Sequence, residues 1–311
     1  MITVLFAAKP ELWPDYAGPL AKSFAEAGLE VTMADAKTPP EQVDYIIYAP
    51  NGPVQDFTPY VRTRAVLSLW AGVERIVGNA SLTQPLCRMV DPGLTEGMVE
   101  WVTGQVLRAH LGLDRQIQHQ DGIWRNAEVP PLARERGVSV LGLGALGSAC
   151  ASALAALNFR VTGWSRTPKS IAGVTCLSGD AGLDQALAEA QILVTILPNT
   201  PETENLIDSA ALARMPRGAV VLNPGRGTLI DDAALLAALD SGHIAQATLD
   251  VFRTEPLPAE HPFWAHPRVT VTPHVAADTR PPSAARVIAE NIRRDQGGAA
   301  LLHLVDRQKG Y

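Results

Sequence analysis

The chain has 311 residues, of which 47% are hydrophobic and 19% are charged. This length and composition indicate about two globular domains and exclude a disordered or fibrous protein. The formal net charge of −6 argues against a nucleic-acid partner but not against small anionic ligands, which need only local cations.

Short hydrophobic strands alternate with helical segments through the first part of the chain. The predicted strands are Ile2–Ala8, Glu30–Ala34, Val43–Tyr48 and Ala65–Leu69. A helix is predicted over Pro19–Ala27, and the alternation predicts a parallel α/β sheet. Such sheets bind ligands outside the carboxyl ends of their strands. The loops that follow Tyr48 and Leu69 are therefore candidate pocket walls, although Tyr48 and Trp70 are as often core aromatics.

A long amphipathic helix, Leu94–Leu111, connects this part of the chain to a second α/β pattern. An element of this length between two α/β units is typical of a domain connection. Its apolar face, which includes Met98 and Trp101, is also suited to an oligomer surface, and the sequence leaves both interpretations open.

The second pattern begins with a glycine-rich motif. The hydrophobic run Val138–Leu141 is followed by Gly142, Gly144 and Gly147 in G-x-G-x-x-G spacing, and then by the helical segment Ala149–Leu157. The first glycine permits a tight turn, the second lets a pyrophosphate approach the backbone, and the third lets the helix pack on its strand. The helix amides face the anion. The motif therefore predicts a dinucleotide site.

The residues at the end of the following predicted strand, Arg160–Trp164, favour NADP over NAD. An NAD site places an acidic residue about 20 residues beyond the glycines, but residues 164–169 read WSRTPK and contain none. A carboxylate there would repel the 2′-phosphate of NADP, whereas hydroxyls and cations bind it. The residues suited to that task are Ser165, Arg166, Thr167 and Lys169. A solvated basic loop is the alternative. The missing acid favours NADPH, with NADH less favoured.

Three ionisable residues lie just beyond predicted strands of the second pattern. These strands are Ile192–Leu197, Ala219–Leu222, Gln246–Val251 and Val269–Thr272. The residues are Arg226, Glu255 and His274, and we expect all three on the same sheet edge as the glycine-rich turn.

The three residue types suit reduction of an oxoacid. A guanidinium group pairs bidentately with a carboxylate, so Arg226 is a candidate for binding the substrate. Histidine exchanges protons near neutrality, so His274 is a candidate acid. Glu255, bonded to the other ring nitrogen, would fix the tautomer and favour the imidazolium. Taken one at a time, Arg226 also fits a turn residue, Glu255 a solvated acid and His274 a loop histidine. The position that the three residues share favours an active site.

Several runs resemble the D-isomer-specific 2-hydroxyacid dehydrogenase family. They are GLGALG, ILPNTPETENLI, NPGRG, LDVFRTEPLP and TPHVAADTRP. Within the family, WSRTPK, PHVAADTRP and VDRQKGY are similar to the glyoxylate/hydroxypyruvate reductase A group. The resemblance spans residues 70–311, and residues 1–69 match only in pattern. It implies an α/β fold with two doubly wound parallel-sheet domains. These would be a flavodoxin-like, discontinuous substrate-binding domain, residues 1–99 and 276–311, and an NADP-binding Rossmann domain, residues 100–275.

The resemblance also implies roles for individual residues. Arg226 would bind the substrate, His274 would be the acid/base and Glu255 its partner. The expected cofactor contacts are Gly142, Gly144, Ala145, Leu146, Gly147, Ser165, Arg166, Thr167, Lys169, Leu197, Pro198, Thr203, Asn223, Pro224, Gly225, Asp250 (on the nicotinamide carboxamide) and Ala276. The expected substrate contacts are Tyr48, Trp70, Ala71, Gly72, Val73 and Arg280, with the backbone amides of residues 71–73 on the substrate carboxylate. Many relatives carry a small residue where Trp70 stands, so the size of the oxoacid stays open. Arg280 fits a pocket residue and a helix-start surface residue equally.

These features predict an NADPH-dependent reductase of small 2-oxoacids, which converts glyoxylate to glycolate and hydroxypyruvate to D-glycerate. The alternatives are a D-2-hydroxyacid dehydrogenase for a bulkier oxoacid, such as 2-ketogluconate or phenylpyruvate, and a non-catalytic NADP(H)-sensing protein. The family implies a homodimer formed through the middle domain. The sequence decides neither the physiological oxoacid nor the direction of the reaction in the cell.

Simpler sequence patterns predict where in the cell the protein acts and whether it binds a metal. The first residues lack the pattern of a signal peptide, which predicts a cytoplasmic protein. Residues 137–159 are uncharged and long enough to span a membrane, but their glycines and polar residues favour a buried strand–turn–helix. Cys87, Cys150 and Cys176 form no C-x-x-C pair, and the remaining histidines show no ligand spacing, so we expect no metal.

Overall fold

Two parallel β-sheets organise the chain, each within its own unit. The first unit consists of Met1–Leu94 and Asp278–Tyr311, and the second of Thr95–Ala277. The computed structural model describes residues 1–126, 129–308 and 310; Lys309 and Tyr311 of the terminal VDRQKGY run lie outside the described residues. Which unit binds substrate and which binds cofactor stays a prediction.

The elements of the described residues are as follows. The strands are β1 (Ile2–Ala7), β2 (Val31–Met33), β3 (Tyr45–Tyr48), β4 (Ala65–Ser68), β5 (Leu86–Cys87), β6 (Gly137–Leu141), β7 (Arg160–Trp164), β8 (Val174–Leu177), β9 (Ile192–Thr195), β10 (Ala219–Asn223), β11 (Ile244–Leu249) and β12 (Val269–Val271). The helices are α1 (Trp13–Glu26), α2 (Pro92–Leu111), α3 (Leu113–Gln118), α4 (Ala145–Ala156), α5 (Gly179–Glu189), α6 (Ser209–Arg214), α7 (Asp232–Asp240), α8 (Pro262–Ala265) and α9 (Pro281–Gln296).

The sheet of the first unit has the strand order β2-β1-β3-β4-β5, and all its neighbours pair in parallel. This 2-1-3-4-5 order is that of flavodoxin-like folds, so the predicted doubly wound architecture is confirmed for this unit. Strand β5 was not predicted, because two residues are too few to leave a pattern in the sequence.

Helix α1 begins earlier than the sequence indicates. The predicted start was Pro19, but the helix runs from Trp13 and carries Pro19 in its interior. Pro14 occupies the first turn, where a missing N–H has no intrahelical partner to lose. The helix is retained through Pro19 because its apolar side, with Tyr16 and Phe24, is buried in the same cluster as α9. Packing therefore outweighs the lost helix hydrogen bond.

The sheet of the second unit has the order β12-β11-β10-β9-β6-β7-β8. Counted from β6, this is the Rossmann order 3-2-1-4-5-6 with one further strand, and the order reverses between β6 and β9. Successive side chains point to opposite faces: Leu193 and Val221 join one hydrophobic cluster, whereas Val194 and Leu222 join another. Both faces of the sheet are thus covered, and the Rossmann prediction for this unit is confirmed.

The uncharged run 137–159 forms β6 and α4, whose residues Val140 and Leu154 belong to a core cluster of the second unit. Within the described residues, no helix combines the length and the apolar character that crossing a membrane requires. The strand–turn–helix interpretation of this run is therefore confirmed.

Candidate active site

The turn after β6 has the geometry that a dinucleotide requires. Gly142 has φ of +106°, and a Cβ there would lie 2.3 Å from the Ile196 carbonyl oxygen. A Cβ at Gly147 would lie 1.7 Å from the Gly142 oxygen, so the start of α4 rests directly on the turn. At Gly144 nothing lies within 4 Å of the Cβ position. The backbone is therefore open at the one glycine where a pyrophosphate must approach.

The start of α4 and the loop after β9 supply further predicted cofactor contacts. Ala145 is exposed and Leu146 is half-buried, and their amides belong to the first turn, which has no intrahelical acceptors. Leu197 lies beside Gly142, with its Cδ2 atom 3.2 Å from the Cβ position. Thr203 closes the loop, because its hydroxyl donates to the Pro198 carbonyl at 2.7 Å. These groups border the point where the strand order reverses, and they fit the pyrophosphate of a dinucleotide.

The basic loop after β7 is exposed. Ser165 is buried, and its hydroxyl donates to the Thr167 carbonyl at 2.8 Å, which folds the loop. Arg166, Thr167 and Lys169 are exposed. The Thr200 hydroxyl bond lowers the pKa of Glu202, and the positive charge of Arg166 lowers it further. The exposed cations of this loop fit a 2′-phosphate.

Asn223, at the end of β10, forms the turn that carries Arg226. Its side-chain oxygen accepts from the Thr195 hydroxyl at 2.8 Å and from the Gly225 amide at 3.1 Å, and its side-chain nitrogen donates to the Arg226 carbonyl at 2.9 Å. The buried Pro224 lies in the same turn. The sequence predicted a cofactor contact at Asn223, and the structure adds this bracing role for its amide.

Arg226 is half-buried, and its Nη1 donates to the Gly225 carbonyl at 2.7 Å. That bond fixes one edge of the guanidinium group, which carries five N–H donors in all. Arg226 follows the carboxyl end of β10, in the parallel sheet whose strand β6 leads into the glycine-rich turn, so both lie at the same sheet edge, as predicted.

Glu255 and His274 form the predicted pair. The His274 Nδ1 lies 2.8 Å from Glu255 Oε2, and Glu255 Oε1 accepts from the Phe252 amide at 2.9 Å. Each oxygen of the Glu255 carboxylate therefore has one partner, and Oε2 orients the His274 ring. The His274 side chain is 51% exposed, so its ring is accessible to a small molecule.

The loop that carries His274 is organised by Asp250, which is fully buried. Asp250 Oδ1 accepts from the Thr272 hydroxyl at 2.6 Å and from the Val275 amide at 3.0 Å. Its Oδ2 accepts from the Ala276 amide at 2.9 Å, and its carbonyl accepts from the His274 amide at 2.8 Å. These bonds hold His274 in the left-handed backbone region, with φ of +54°. Sequence reasoning missed Thr272, whose position beside Asp250 follows from the pairing of β11 with β12.

Two aromatic candidates lie in the first unit. Tyr48 is 1% exposed, and its ring packs edge-on against Phe57 at 5.4 Å. Burial raises its pKa, and the structure favours the core alternative that the sequence left open. Trp70 is half-exposed, with the Arg75 guanidinium 5.9 Å from its ring centroid, so it keeps an accessible face.

The remaining first-unit candidates are Ala71 and Gly72, which are half-buried, Val73, which is buried, and Arg280, which is exposed at the start of α9. The Arg280 carbonyl accepts from the Ser283 amide at 3.1 Å. Their contacts with a substrate stay predictions. In the part of the chain that the structure describes, no group of three or more His, Cys, Asp and Glu residues is arranged to hold a metal ion.

The fold and the site define an α/β protein of the dehydrogenase class, with a dinucleotide turn and a histidine–carboxylate pair on one sheet edge. The family model of the D-isomer specific 2-hydroxyacid dehydrogenase NAD-binding domain matches residues 103–276. The chain belongs to the D-isomer specific 2-hydroxyacid dehydrogenase family.

Three of the proteins similar to this chain are between 35% and 40% identical to it. The glyoxylate/hydroxypyruvate reductase A of Yersinia enterocolitica is 39% identical over 259 residues, which cover 81% of this chain and 82% of the relative. A D-isomer specific 2-hydroxyacid dehydrogenase of Xanthobacter autotrophicus, solved with NADPH and MES, is 40% identical with a TM-score of 0.92 over 99% of both chains. The NADPH-dependent glyoxylate/hydroxypyruvate reductase of Sinorhizobium meliloti, solved with NADP and sulfate, is 35% identical with a TM-score of 0.87 over 100% of both chains.

Proposed function

We propose that the protein is an NADPH-dependent reductase of small 2-oxoacids, which converts glyoxylate to glycolate and hydroxypyruvate to D-glycerate. The observation that carries the proposal is the 2.8 Å bond between His274 and Glu255, on the sheet edge that also carries the glycine-rich turn and Arg226. The names and bound cofactors of the similar proteins support the substrate class and the use of NADPH.

The reaction consumes one proton: oxoacid, NADPH and H⁺ give hydroxyacid and NADP⁺. When bound, NADPH supplies the hydride. Arg226 pairs with the oxoacid and polarises it, since its fork matches a carboxylate. His274 in its charged form donates a proton to the former carbonyl oxygen, which becomes the hydroxyl group of the product. Because Glu255 engages Nδ1, the donating atom is Nε2, and the carboxylate stabilises the imidazolium before it reacts.

We assign cofactor binding to groups around the glycine-rich turn. The amides at the start of α4 hold the pyrophosphate, and the exposed Arg166 and Lys169 hold the 2′-phosphate. Asp250 is fully buried, and its Oδ2 already accepts from the Ala276 amide, so its contact with the nicotinamide carboxamide stays a prediction that depends on the resemblance alone. The contacts of Trp70 and of residues 71–73 with the oxoacid carboxylate belong to the same proposal.

We also infer that the protein is a homodimer that acts in the cytoplasm. An exposed apolar stretch supports the dimer, since large exposed patches mark interaction surfaces. Its members are Leu111, Leu113, Ile117, Ile123, Trp124, Val129 and Leu132, of which Trp124 is 89% exposed. Sedimentation velocity should give twice the monomer mass, and Trp124→Ser should lower it; a wild-type monomer at micromolar concentration contradicts the dimer.

The test of the function is cofactor oxidation by the purified protein, followed at 340 nm, with NADPH and with NADH. The panel contains glyoxylate, hydroxypyruvate, pyruvate, phenylpyruvate and 2-ketogluconate. We expect fast NADPH turnover with glyoxylate and hydroxypyruvate. Preference for a bulky acid would keep the mechanism and reject the substrate class. Tight NADPH binding without turnover on any acid would reject the enzyme in favour of a sensor.

A further inference from the structure

We propose that Arg253 is a positioning residue, which joins three loops of the second unit and thereby sets the geometry of Glu255 and Arg226. The proposal rests on the reductase function stated above. Arg253 lies two residues before Glu255, in the loop after β11, and neither the motif nor the similarity to known proteins assigns it a role.

The Arg253 guanidinium connects its own loop to the two neighbouring loops. Its Nη2 donates to the Ile230 carbonyl at 2.6 Å and approaches the Thr228 carbonyl at 3.4 Å, both in the loop after β10. The same nitrogen bonds the side-chain oxygen of Asn205, in the loop after β9. Asn205 itself has φ of +52°, and its amide donates to the Thr228 carbonyl at 2.8 Å. One side chain therefore binds all three loops.

Charge reinforces this connection. The Arg253 Nη1 and Nε atoms lie 3.8 Å from Glu204 and Asp232 carboxylate oxygens, respectively. Burial raises the pKa of Asp232, and the charges of Arg253 and His261 oppose that rise. The guanidinium side chain is only 30% exposed, so water competes for it less than at an open surface. A lysine could supply the charge and three donors on one nitrogen, but not the separate Nε, Nη1 and Nη2 positions from which the guanidinium reaches its partners.

The contacts of Arg253 lead directly to the catalytic residues. A Cβ at Gly227 would lie 2.0 Å from the Phe252 carbonyl carbon and 2.4 Å from the Arg253 amide. The backbone next to Arg226 therefore packs on the backbone at Phe252, whose amide in turn binds Glu255. A shift of this segment moves both the residue that binds the substrate and the residue that orients His274.

The described contacts of Arg253 lie beyond the carboxyl ends of the strands: three in loops, at Asn205, Thr228 and Glu204, one at the backbone carbonyl of the buried Ile230, and one at Asp232 in the first turn of α7. None lies in a named strand of the sheet. Loss of the guanidinium should therefore loosen the site while the sheet stays intact. Displacements of about 1 Å at an active site cost up to about a hundredfold in rate. We therefore expect the substitution to lower the catalytic rate rather than the stability of the fold.

The experiment compares Arg253→Met with a matched control, Arg268→Met. Arg268 also donates to a backbone carbonyl, that of Leu239 at 2.5 Å, but it precedes β12 at the opposite edge of the sheet. We expect Arg253→Met to lower kcat for glyoxylate by about ten- to a hundredfold, with NADPH affinity within about threefold of the wild type. Arg268→Met should keep kcat. Equal kcat values for the two variants would overturn the proposal.

A second variant removes the partner without backbone strain. Glycine accepts positive φ, so Asn205→Gly deletes only the side chain that Arg253 binds, and we expect the same direction of change in kcat. Arg253→Met and Asn205→Gly break the same contact. The fold-loss in kcat of the double variant should therefore be smaller than the product of the two single fold-losses. Independent, multiplicative losses would contradict a shared role.

Hydrogen exchange separates this proposal from the proposed function. Without any substrate, Arg253→Met should raise exchange together in residues 198–208, 224–231 and 250–256, and Arg268→Met should not. If the wild type reduces no oxoacid, the proposed function fails, but this coupling of the loops still stands or falls on the exchange data. Faster exchange confined to residues 250–256 would refute it.

Discussion

Replacing Glu255 by glutamine tests the chemistry of the site with a minimal change in shape. The carboxylate accepts two bonds, from the Phe252 amide at 2.9 Å and from the His274 ring at 2.8 Å. A glutamine has one acceptor oxygen and one donor nitrogen. Whichever way the amide turns, one of the two donors faces another N–H group. If the Phe252 bond is kept, the amide nitrogen faces Nδ1 and disfavours the charged ring.

The size of the effect follows from the lost bond. A hydrogen bond to a charged group contributes about 1.5–3 kcal/mol. The His274 and Glu255 side chains are 51% and 33% exposed, so water competes and the lower end of that range applies. A loss of about 1.4 kcal/mol in the transition state lowers the rate about tenfold. We therefore expect kcat for glyoxylate reduction to fall about tenfold near neutral pH.

The assay is steady-state NADPH consumption at saturating glyoxylate near neutral pH. Reduction needs the charged ring, and Glu255→Gln removes the carboxylate that stabilises it. Glu260→Gln, an exposed position on the same loop, serves as the control. A Glu255→Gln rate within twofold of the wild type would refute the reasoning.

Further outcomes follow from the cofactor site and from the loop that carries His274. Arg166→Ala should weaken NADPH binding about ten- to a hundredfold and leave NADH nearly unchanged, as measured by calorimetric titration; equal losses would assign Arg166 a structural role. Thr272→Val removes the hydroxyl that Asp250 accepts at 2.6 Å and should lower kcat about tenfold, whereas Thr272→Ser should keep most of the rate. If Thr272→Val and Thr272→Ser have the same kcat, the hydroxyl does not position the loop that carries His274. Gly144→Ala has open space around the new methyl group and should keep the melting temperature while weakening NADPH. Gly147→Ala meets the Gly142 oxygen at 1.7 Å and should lower the melting temperature; the opposite ranking would contradict the turn geometry.

The sequence was sufficient where one short segment carries the whole feature. The strand, three glycines and helix at residues 138–157 are contiguous, so their spacing alone predicted a dinucleotide turn. The edge that holds Arg226, Glu255 and His274 was predictable because each follows a hydrophobic strand, and parallel strands place their carboxyl ends together.

Features that depend on pairing between distant segments were not predictable. Thr272 meets Asp250 only because Leu249 pairs with Val271 in the sheet, and no local pattern fixes that register. The Arg253 contacts need three separate loops to converge. The helix predicted over Pro19–Ala27 begins six residues earlier, at Trp13, with Pro14 in its first turn and Pro19 in its interior. There tertiary packing outweighed a local signal.

The left-handed backbone at residue 274 decides how the histidine can be removed in an informative way. L-residues pay about 1–2 kcal/mol in this region, and histidine and asparagine occupy it more often than most. His274→Ala therefore deletes the proton donor and strains the turn at once, so its inactivity would not separate the two causes. His274→Asn deletes the donor while keeping a residue type that accepts φ of +54°. An asparagine variant that still binds NADPH and melts like the wild type isolates the loss of proton transfer.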